Sequence, residues 1–345
     1  MKQHGDDHWH GHRDLTREAV RRLYATMAGP DGRIRGLDEQ RYFETLDKAQ
    51  AYMDRPLGAG LVRNFNGTKF TVPYVGLGPT AHSAYANPGA QREHFMADPY
   101  KYGADNLAIN VGYLNDAMTA ARQAGVSASG PDDIVEREMP PLGAAVHALQ
   151  DSYSGAHAWR EDSVYDGNVD APIQSLHVFT PLHAVGIDDG KNTHSDEFDK
   201  PPVNSGSARA ATEATYRLLR VHEEGYRTSP EQAQAELWKT LGPMVAPSAS
   251  GVTVNTTPNA EWAAERDRRV ALEHTLPKPQ PTAEAQAPGQ AAQKTLSADE
   301  LRVLGDVLST QPNSPLKAPS PDQTPAARPT SHHLGGRTPE GPTRD

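Results

Sequence analysis

Apolar residues recur at helical spacing along most of the first 246 residues, and this pattern predicts a bundle of α-helices. In six stretches the apolar residues lie three and four positions apart, which places them on one face of a helix. These stretches are 14–27, 37–53, 104–124, 142–155, 207–225 and 230–244. Helices that each carry one apolar face bury it against one another, so we predict an all-α fold, a multi-helix bundle.

The chain changes character in its C-terminal part. From Pro277 onward it is dominated by Pro, Ala, Gln, Thr and Ser, and it has no aromatic residue after Trp262. Such a segment cannot bury enough apolar surface to offset the entropy of ordering its backbone. We therefore expect a helical domain over residues 1–246 and a disordered Pro/Ala/Gln-rich tail over residues 247–345. Within this tail, residues 297–308 could form a short helix or a docking motif.

The predicted helix at 142–155 carries the most specific candidate site. His147 and Asp151 are four residues apart, so a helix places both on one face. A bend at Gly155 would return His157 toward the same point. Two imidazoles and a carboxylate are ligands that a zinc ion takes. The sequence therefore predicts a metal site in the core of the bundle. The alternative is a set of packed, hydrogen-bonded core residues.

The composition narrows the kinds of site that the chain can build. The chain has 345 residues, no cysteine and a formal net charge of −10. The lack of cysteine excludes disulfides, thiolate zinc sites and cysteine nucleophiles, and it leaves His, Asp and Glu as metal ligands. The acidic balance is unfavourable for binding along a phosphate backbone, which needs an excess of Lys and Arg. We therefore expect no nucleic-acid partner.

Two features bear on where the protein works. No run of roughly 18 apolar residues occurs, so we expect no membrane-spanning helix. The first residues, MKQHGDDHWHGHRDL, lack the apolar segment of a secretory signal. We expect the protein to stay in the cytoplasm of its producer or to be exported by a dedicated secretion machine.

Further histidines lie in three other parts of the chain. The tract HWHGH at residues 8–12 leads directly into the first predicted helix, so we place its histidines in the loop before that helix. His94 lies on a predicted short helical turn. The stretch 161–205 has little periodicity and contains His177, His194 and several acids. This stretch is either a metal-binding loop or an ordinary solvated loop.

The segment HALQDSYSGAH, residues 147–157, resembles the zinc-dependent phospholipase C family. That family shares its fold with the P1-type nucleases, which are specific for single strands. Its clustered zinc site uses a His, an Asp four residues later and a further His, and His147, Asp151 and His157 reproduce this spacing. The resemblance covers residues 8–225 and implies a site with two or three zinc ions.

The resemblance also implies further ligands. The family has a His just before its first helix, matched by His12, and a His upstream of the central motif, matched by His94. It also has an upstream Asp that binds zinc and is proposed as the base for the attacking water; Asp54 is the candidate for this catalytic residue. The implied zinc ligands are His12, Asp54, His94, His147, Asp151, His157, His177 and His194.

Two departures from the family pattern affect these assignments. The family places a downstream His with a Glu four residues later; His177 matches the His, but Pro181 stands at the position of the Glu. His194 or Asp199 could supply the missing ligand. The family also binds zinc through the free amine and carbonyl of an N-terminal Trp, which Trp9 could match only if the chain is cleaved directly before it. Otherwise His8 or His10 takes the place of this Trp, or the site holds fewer ions.

Together these features predict a zinc-dependent phosphodiester hydrolase, a phospholipase C that acts on phospholipids at a membrane surface. The missing secretory signal points to a bacterial effector or toxin, with a secretion adaptor or an immunity protein as a partner. Three alternatives remain open: a P1-type single-strand nuclease, a non-catalytic metal-binding helical module, and a plain helical bundle. The missing acid after His177 favours the non-catalytic module. The acidic charge and the few aromatic residues disfavour the nuclease.

Overall fold

The computed structural model describes residues 11–53, 64–65, 68–69, 88–178, 202, 204–255 and 260–275. This part of the chain is mostly helical. Its helices are α1 (His12–Met27), α2 (Glu39–Met53), α3 (Gly103–Val126), α4 (Met139–Asp151), α5 (Gly206–Gly225), α6 (Pro230–Met244) and α7 (Ala260–Glu273). Its strands are β1 (Asn64–Phe65), β2 (Thr68–Lys69), β3 (Ala158–Arg160), β4 (Ile173–His177) and β5 (Thr253–Asn255). Shorter helical segments span Pro88–His94, Pro131–Asp133, Ile134–Glu138 and Asp162–Asp166.

Helix α4 forms the centre of the bundle. It packs against α2, α3 and α5, and most of its side chains are buried, polar ones included. Gly143 lets α2 approach closely, because a Cβ at this position would lie 2.4 Å from the Cβ of Ala49. A helix that is enclosed on all sides must find partners for its polar side chains within the protein. The polar residues of α4 therefore mark the places where the fold builds polar sites.

The helices predicted at 104–124, 207–225 and 230–244 are confirmed to within two residues as α3, α5 and α6. Ser205 caps α5, since its side chain accepts from the backbone N–H of Ala208. A capping box begins α6. Apolar spacing and capping residues agree at these helices, which explains why the sequence located their ends.

The start of α1 differs from the prediction. The helix begins at His12, whereas the sequence pattern began it at residue 14 and placed His12 in the preceding loop. Gly11 occupies the N-cap position with a φ of 51°, a conformation that glycine adopts readily. His12 therefore belongs to the first helical turn, which fixes the position of its backbone.

The central helix ends at Asp151, before the predicted break at Gly155. A turn over residues 152–157 follows, and Arg160 stabilises this turn. Its Nε donates to the carbonyl of Ser152 at 2.8 Å, and its Nη2 donates to the hydroxyl of the same residue at 2.7 Å. The helix therefore ends where the buried guanidinium of Arg160 binds Ser152, and not at Gly155.

The all-α prediction needs one correction, because the described residues include a three-stranded sheet of order β3–β4–β5. Strand β3 pairs antiparallel with β4, and β4 pairs parallel with β5. Strand β4 lies in the stretch 161–205, which the sequence pattern presented as a loop, and His177 is its last residue. A strand of five residues contains too few alternations of polar and apolar residues to be recognised.

The fold continues past the predicted boundary at residue 246. Strand β5 pairs with β4, and on α7 the ring of Trp262 stacks on that of Trp159 with centroids 5.5 Å apart. The many charged residues of α7 gave this segment the composition of a tail. The rest of the predicted tail, residues 276–345 with the predicted helix at 297–308, lies outside the described residues. In the part of the chain that the structure describes, no helix is both long and apolar enough to cross a membrane.

Candidate metal centre

The C-terminal half of α4 carries a histidine and an aspartate on one buried face. His147 and Asp151 lie one helical turn apart, and His147 Nε2 is 3.1 Å from Asp151 Oδ2. Both side chains are enclosed by the surrounding helices. The four-residue spacing seen in the sequence produces this contact directly.

Three further histidines reach Asp151 from other elements. His12, in the first turn of α1, places its Nε2 3.0 Å from Asp151 Oδ1. His94, the last residue of its short helical segment, places its Nδ1 3.1 Å from Asp151 Oδ2. His157, which ends the turn after α4, places its Nδ1 3.5 Å from the same oxygen. Four imidazole rings therefore surround one carboxylate and contact both of its oxygens.

The contacting atoms are spaced as metal ligands are. His94 Nδ1 and His147 Nε2 lie 3.0 Å apart, and each is 3.1 Å from Asp151 Oδ2. Atoms that bind zinc at about 2.0–2.1 Å in a tetrahedral site lie about 3.3 Å from one another. Two groups that share Asp151 could hold a metal ion. They are His12, His147 and Asp151, and His94, Asp151 and His157, and we call these five residues the His/Asp centre.

The surroundings of buried Asp151 favour its ionised form. Burial by itself would raise the pKa of its carboxyl. The positive charge of the imidazoles of His147, His157 and His12 outweighs burial and holds the pKa of Asp151 well below its usual range. The carboxylate therefore needs a cation beside it, and either an imidazolium or a metal ion can supply that charge.

Backbone carbonyls orient two of the histidine rings. His157 Nδ1 lies 2.7 Å from the carbonyl oxygen of His94, and His177 Nδ1 lies 3.1 Å from that of Ala156. A carbonyl only accepts, so both rings carry a hydrogen on Nδ1, and Nε2 holds the lone pair when the ring is neutral. For His157 this bond is shorter than the 3.5 Å contact of the same nitrogen with Asp151, so the ring offers Nε2 to a ligand. This arrangement is typical of metal-binding histidines.

His177 adjoins the His/Asp centre, since its backbone N–H donates to the carbonyl oxygen of His157 at 2.9 Å. Its ring packs against Trp159, with centroids 5.0 Å apart, and against Trp262, at 6.3 Å. Within the described ranges it belongs to neither of the two groups that share Asp151. Asp54 and His194, the remaining predicted ligands, lie outside the described residues.

Arg160 supports the His/Asp centre, and no sequence pattern had assigned it a role. Besides holding Ser152, its Nη1 donates to the carbonyls of Ala171 and Met244, both at 2.8 Å. Burial lowers the pKa of this guanidinium. Among the described residues, its charge is stabilised by hydrogen bonds to carbonyl oxygens rather than by a close carboxylate. The arginine thereby fixes the turn between two of the centre's residues. An arginine in the apolar segment AHAWR was the available signal.

A second buried polar group, also unassigned from the sequence, lies at the opposite end of α4. Glu138 directly precedes α4, and Arg35 donates to its two carboxylate oxygens at 2.6 and 2.7 Å. His222 Nε2 lies 2.8 Å from Glu138, and Glu223 accepts from the hydroxyl of Tyr42 at 3.0 Å. We call Arg35, Glu138, His222 and Glu223 the Glu/Arg cluster. Its two glutamates and its histidine also have the spacing of metal ligands.

The two glutamates of this cluster have opposite pKa shifts. Burial would raise the pKa of Glu138, but hydrogen bonds from His222 and Arg35 outweigh burial and lower it. Burial raises the pKa of Glu223, because the nearby positive charges offset only part of the loss of water. The cluster therefore stabilises ionised Glu138 beside Arg35 and favours the protonated form of Glu223.

No family model, curated protein or solved structure matches this chain. The chain itself shows a mostly helical fold with no described helix that could span a membrane. Within this fold lie buried groups of His, Asp and Glu that could hold a metal ion.

Proposed function

We propose that the chain is a zinc-dependent phosphodiester hydrolase of the phospholipase C type, and that the His/Asp centre binds its zinc ions. One observation carries the proposal: the two oxygens of buried Asp151 face different histidines, Oδ1 facing His12 and Oδ2 facing His147. A carboxylate with ligands on both oxygens can bridge two ions. Paired ions clamp the attacking and leaving oxygens in many phosphodiester hydrolases.

The donor set supports zinc as the metal. Imidazole nitrogens outnumber carboxylate oxygens around Asp151. Imidazole suits zinc, whereas calcium and magnesium prefer oxygen ligands. Zinc ions held here would supply positive charge to the phosphoryl oxygens and lower the pKa of a water molecule.

The residues of the centre have distinct tasks in this proposal. Asp151 would be the ligand shared by the ions, and because the neighbouring imidazoles lower its pKa, its ionised form is favoured. His94 and His147 fix one side of the carboxylate. His12 fixes the other side. Because these side chains are largely buried, bulk water is excluded from the ligand side, which strengthens their interactions with charge.

The end of α2 supports Asp54 as the residue that orients or deprotonates the attacking water. Gln50, on the last turn of α2, donates to Oε1 of Gln150 at 3.0 Å, and Gln150 is the chain neighbour of Asp151. Helix α2 ends at Met53, and Asp54 is the next residue in the sequence. The last turn of α2, which directly precedes Asp54 in the sequence, therefore lies beside the centre.

Two features support a phospholipid substrate. Tyr100 and Tyr102, which follow His94 closely in the chain, are 80% and 84% exposed. Exposed tyrosines suit the interfacial region of a membrane, where an aromatic ring meets both apolar and polar groups. The net charge of −10 works against a nucleic-acid substrate. We therefore place the substrate at a membrane surface.

Hydrolysis assays with the zinc-loaded full chain test the proposal. We expect head-group release from phosphatidylcholine vesicles, loss of release on chelation and recovery when zinc is restored. Asp151→Asn should lower the rate by about 10³-fold or more, since charge stabilisation by bound metal is worth several kcal/mol. Asp170→Asn, the same change at an aspartate whose side chain is 42% exposed, should leave the rate unchanged.

The other outcomes of these assays would contradict the proposal in distinguishable ways. Cleavage of single-stranded DNA without release from vesicles would identify a nuclease. Bound zinc without hydrolysis of either substrate would identify a non-catalytic metal-binding module. A wild-type rate in Asp151→Asn would place the reaction elsewhere in the chain.

A further inference from the structure

We infer that Gln150 is a positioning residue, which holds the ring of His12 so that its Nε2 faces the metal position. The inference rests on the proposed zinc binding at the His/Asp centre. His12 Nδ1 lies 2.7 Å from Oε1 of Gln150, while His12 Nε2 lies 3.0 Å from Oδ1 of Asp151. The two nitrogens of one ring therefore contact consecutive residues of α4.

The surrounding hydroxyls fix which way the amide of Gln150 points. Its Nε2 lies 2.9 Å from Oγ1 of Thr215, whose own hydrogen goes to the carbonyl of Ala211 at 2.8 Å. This hydroxyl can therefore only accept from Gln150. Gln150 Nε2 also donates to Oγ1 of Thr16 at 3.0 Å. Both amide hydrogens are thus used on one side, and Oε1 must face the other side, toward His12.

A second glutamine reinforces this orientation. Gln50 Nε2 donates to Oε1 of Gln150 at 3.0 Å, and Gln50 Oε1 accepts from the hydroxyl of Thr16 at 2.7 Å. The network takes one side chain from each of α1, α2, α4 and α5. If the amide of Gln150 were reversed, its Oε1 would face Oγ1 of Thr215, and the two oxygens would repel each other. The four helices therefore hold the amide in one orientation.

The orientation of the amide determines the tautomer of His12. Since Oε1 of Gln150 only accepts, Nδ1 of His12 must carry a hydrogen. In the neutral ring, Nε2 then has its lone pair, and it faces a carboxylate oxygen only 3.0 Å away. Two lone pairs at this distance repel each other unless a cation lies between them. The network therefore prepares His12 as a ligand through Nε2 and disfavours the other tautomer.

Gln150 would differ from an ordinary buried glutamine in a measurable way. A residue that only fills the core would stabilise the fold and leave the affinity for metal unchanged. A residue that orients a metal ligand through a hydrogen bond weakens metal binding on the order of 10–100-fold when it is removed. The tautomer of His12 and the zinc affinity are readouts that a purely structural role would not move.

Three variants of the full chain test the inference. Gln150→Met keeps the length of the side chain and removes the acceptor for His12. Gln150→Glu keeps an acceptor. Gln234→Met is the control, because it makes the same change at a glutamine that donates to Asn115 and not to this network. Zinc affinity is measured by competition with a chelating dye, and histidine tautomers by spectra of ¹⁵N-histidine-labelled protein. His12→Gln assigns the His12 signals.

We expect Gln150→Met to weaken zinc binding on the order of 10–100-fold, with Gln150→Glu restored to wild type or tighter. Gln234→Met should bind zinc within about threefold of wild type, since it leaves the contact between Gln150 and His12 in place. In the wild type, His12 should carry a hydrogen on Nδ1. Wild-type affinity in Gln150→Met, or an equal loss in Gln234→Met, would overturn the inference.

The tautomer measurement keeps this inference distinct from the proposed function. If the wild type bound no zinc, the proposed function would fail, and the tautomer in the metal-free protein would still decide the role of Gln150. A His12 ring protonated only on Nε2 would overturn that role. If Gln150→Met did not fold, the tautomer of His12 in the wild type and the zinc affinity of Gln150→Glu would test the inference instead. A loss of zinc affinity above about tenfold in Gln150→Glu would contradict it.

Discussion

The two buried polar groups at the ends of α4 use histidine and carboxylate side chains in opposite ways. In the Glu/Arg cluster, Arg35 donates two hydrogen bonds to Glu138, so the chain itself supplies a permanent cation. In the His/Asp centre, the ion pairs of Asp151 within the described residues are with imidazoles. Imidazoles carry charge only when they are protonated. The first group is neutralised by the fold, and the second by protons or by a metal ion.

Ligand spacing alone therefore does not define a metal site. The glutamates and the histidine of the Glu/Arg cluster lie as close together as the residues of the His/Asp centre. Arg35, whose Cζ also lies 3.7 Å from the ring centroid of Tyr226, occupies the place of a cation there. A divalent ion at that position would meet an unscreened positive charge. We therefore expect zinc at the His/Asp centre and none at the Glu/Arg cluster.

The same substitution made in each group should separate them most sharply. His147→Gln removes a proposed zinc ligand, so hydrolysis of phosphatidylcholine should fall by about 10³-fold or more. His222→Gln changes the group that Arg35 already neutralises, so its rate should stay close to wild type. The rates of phosphatidylcholine hydrolysis by the two variants are measured at the same fixed zinc concentration. Equal losses in the two would erase the distinction between the groups.

Arg160→Met should cause the largest loss of stability. The substitution leaves the carbonyls of Ser152, Ala171 and Met244 without their donor. At 1–3 kcal/mol for each unsatisfied buried group, we expect the free energy of unfolding to fall by about 3 kcal/mol or more. Urea unfolding followed by circular dichroism measures this.

A matched control for this prediction is Arg220→Met. Arg220 is half exposed and pairs with Glu224 one helical turn away. Its replacement should cost about 0.5 kcal/mol or less. If Arg160→Met cost no more than this control, the turn after α4 would not depend on its buried guanidinium.

Arg35→Met should destabilise the fold by a smaller amount. It leaves Glu138 buried without its guanidinium, which costs about 3–5 kcal/mol for a fully enclosed pair and about 2–3 kcal/mol here, because Arg35 is partly exposed. Adding Glu138→Gln should restore part of the loss, which a double-mutant cycle measures. Zinc affinity should not change in either variant. Weaker zinc binding in Arg35→Met would show that the two groups are coupled.

Glu223→Gln should have the smallest effect, and its sign should depend on pH. Because burial raises the pKa of Glu223, the folded state favours the protonated form, and this stability is lost as the pH rises through the folded-state pKa. The variant is neutral at every pH, so its advantage over wild type should grow as the pH rises above about 4, the ordinary pKa of a glutamate. Glu224→Gln, at the half-exposed neighbour, is the control. Denaturant unfolding at several pH values above about 4 measures the difference in stability. A difference that shrank with rising pH would contradict the raised pKa of Glu223.

The sequence predicted those parts of the molecule that are encoded by neighbouring residues. The apolar faces of α3, α5 and α6 repeat within each helix, and their ends agree with the prediction. The contact between His147 and Asp151 follows from a spacing of four residues. His12 and His94 came from the family resemblance, and the structure brings both to Asp151.

The features that escaped prediction depend on partners far apart in the chain. Arg35 and Glu138 are separated by 103 residues, and Glu138 and His222 by 84, so no local pattern encodes the Glu/Arg cluster. The turn after α4 depends on Arg160, whose acceptors include the carbonyl of Met244 in another helix. Strand β4 was not predicted because its five residues are stabilised by the strands on either side of it, β3 and β5, rather than by a pattern of their own.

The number of zinc ions bound per chain shows whether the His/Asp centre is the metal site. Native mass spectrometry of the wild type, Asp151→Asn and Glu223→Gln measures that number in the intact protein. We predict at least two ions in the wild type, fewer in Asp151→Asn, and the wild-type number in Glu223→Gln. A full complement of zinc in Asp151→Asn, or a loss in Glu223→Gln, would contradict the assignment of the metal to the His/Asp centre.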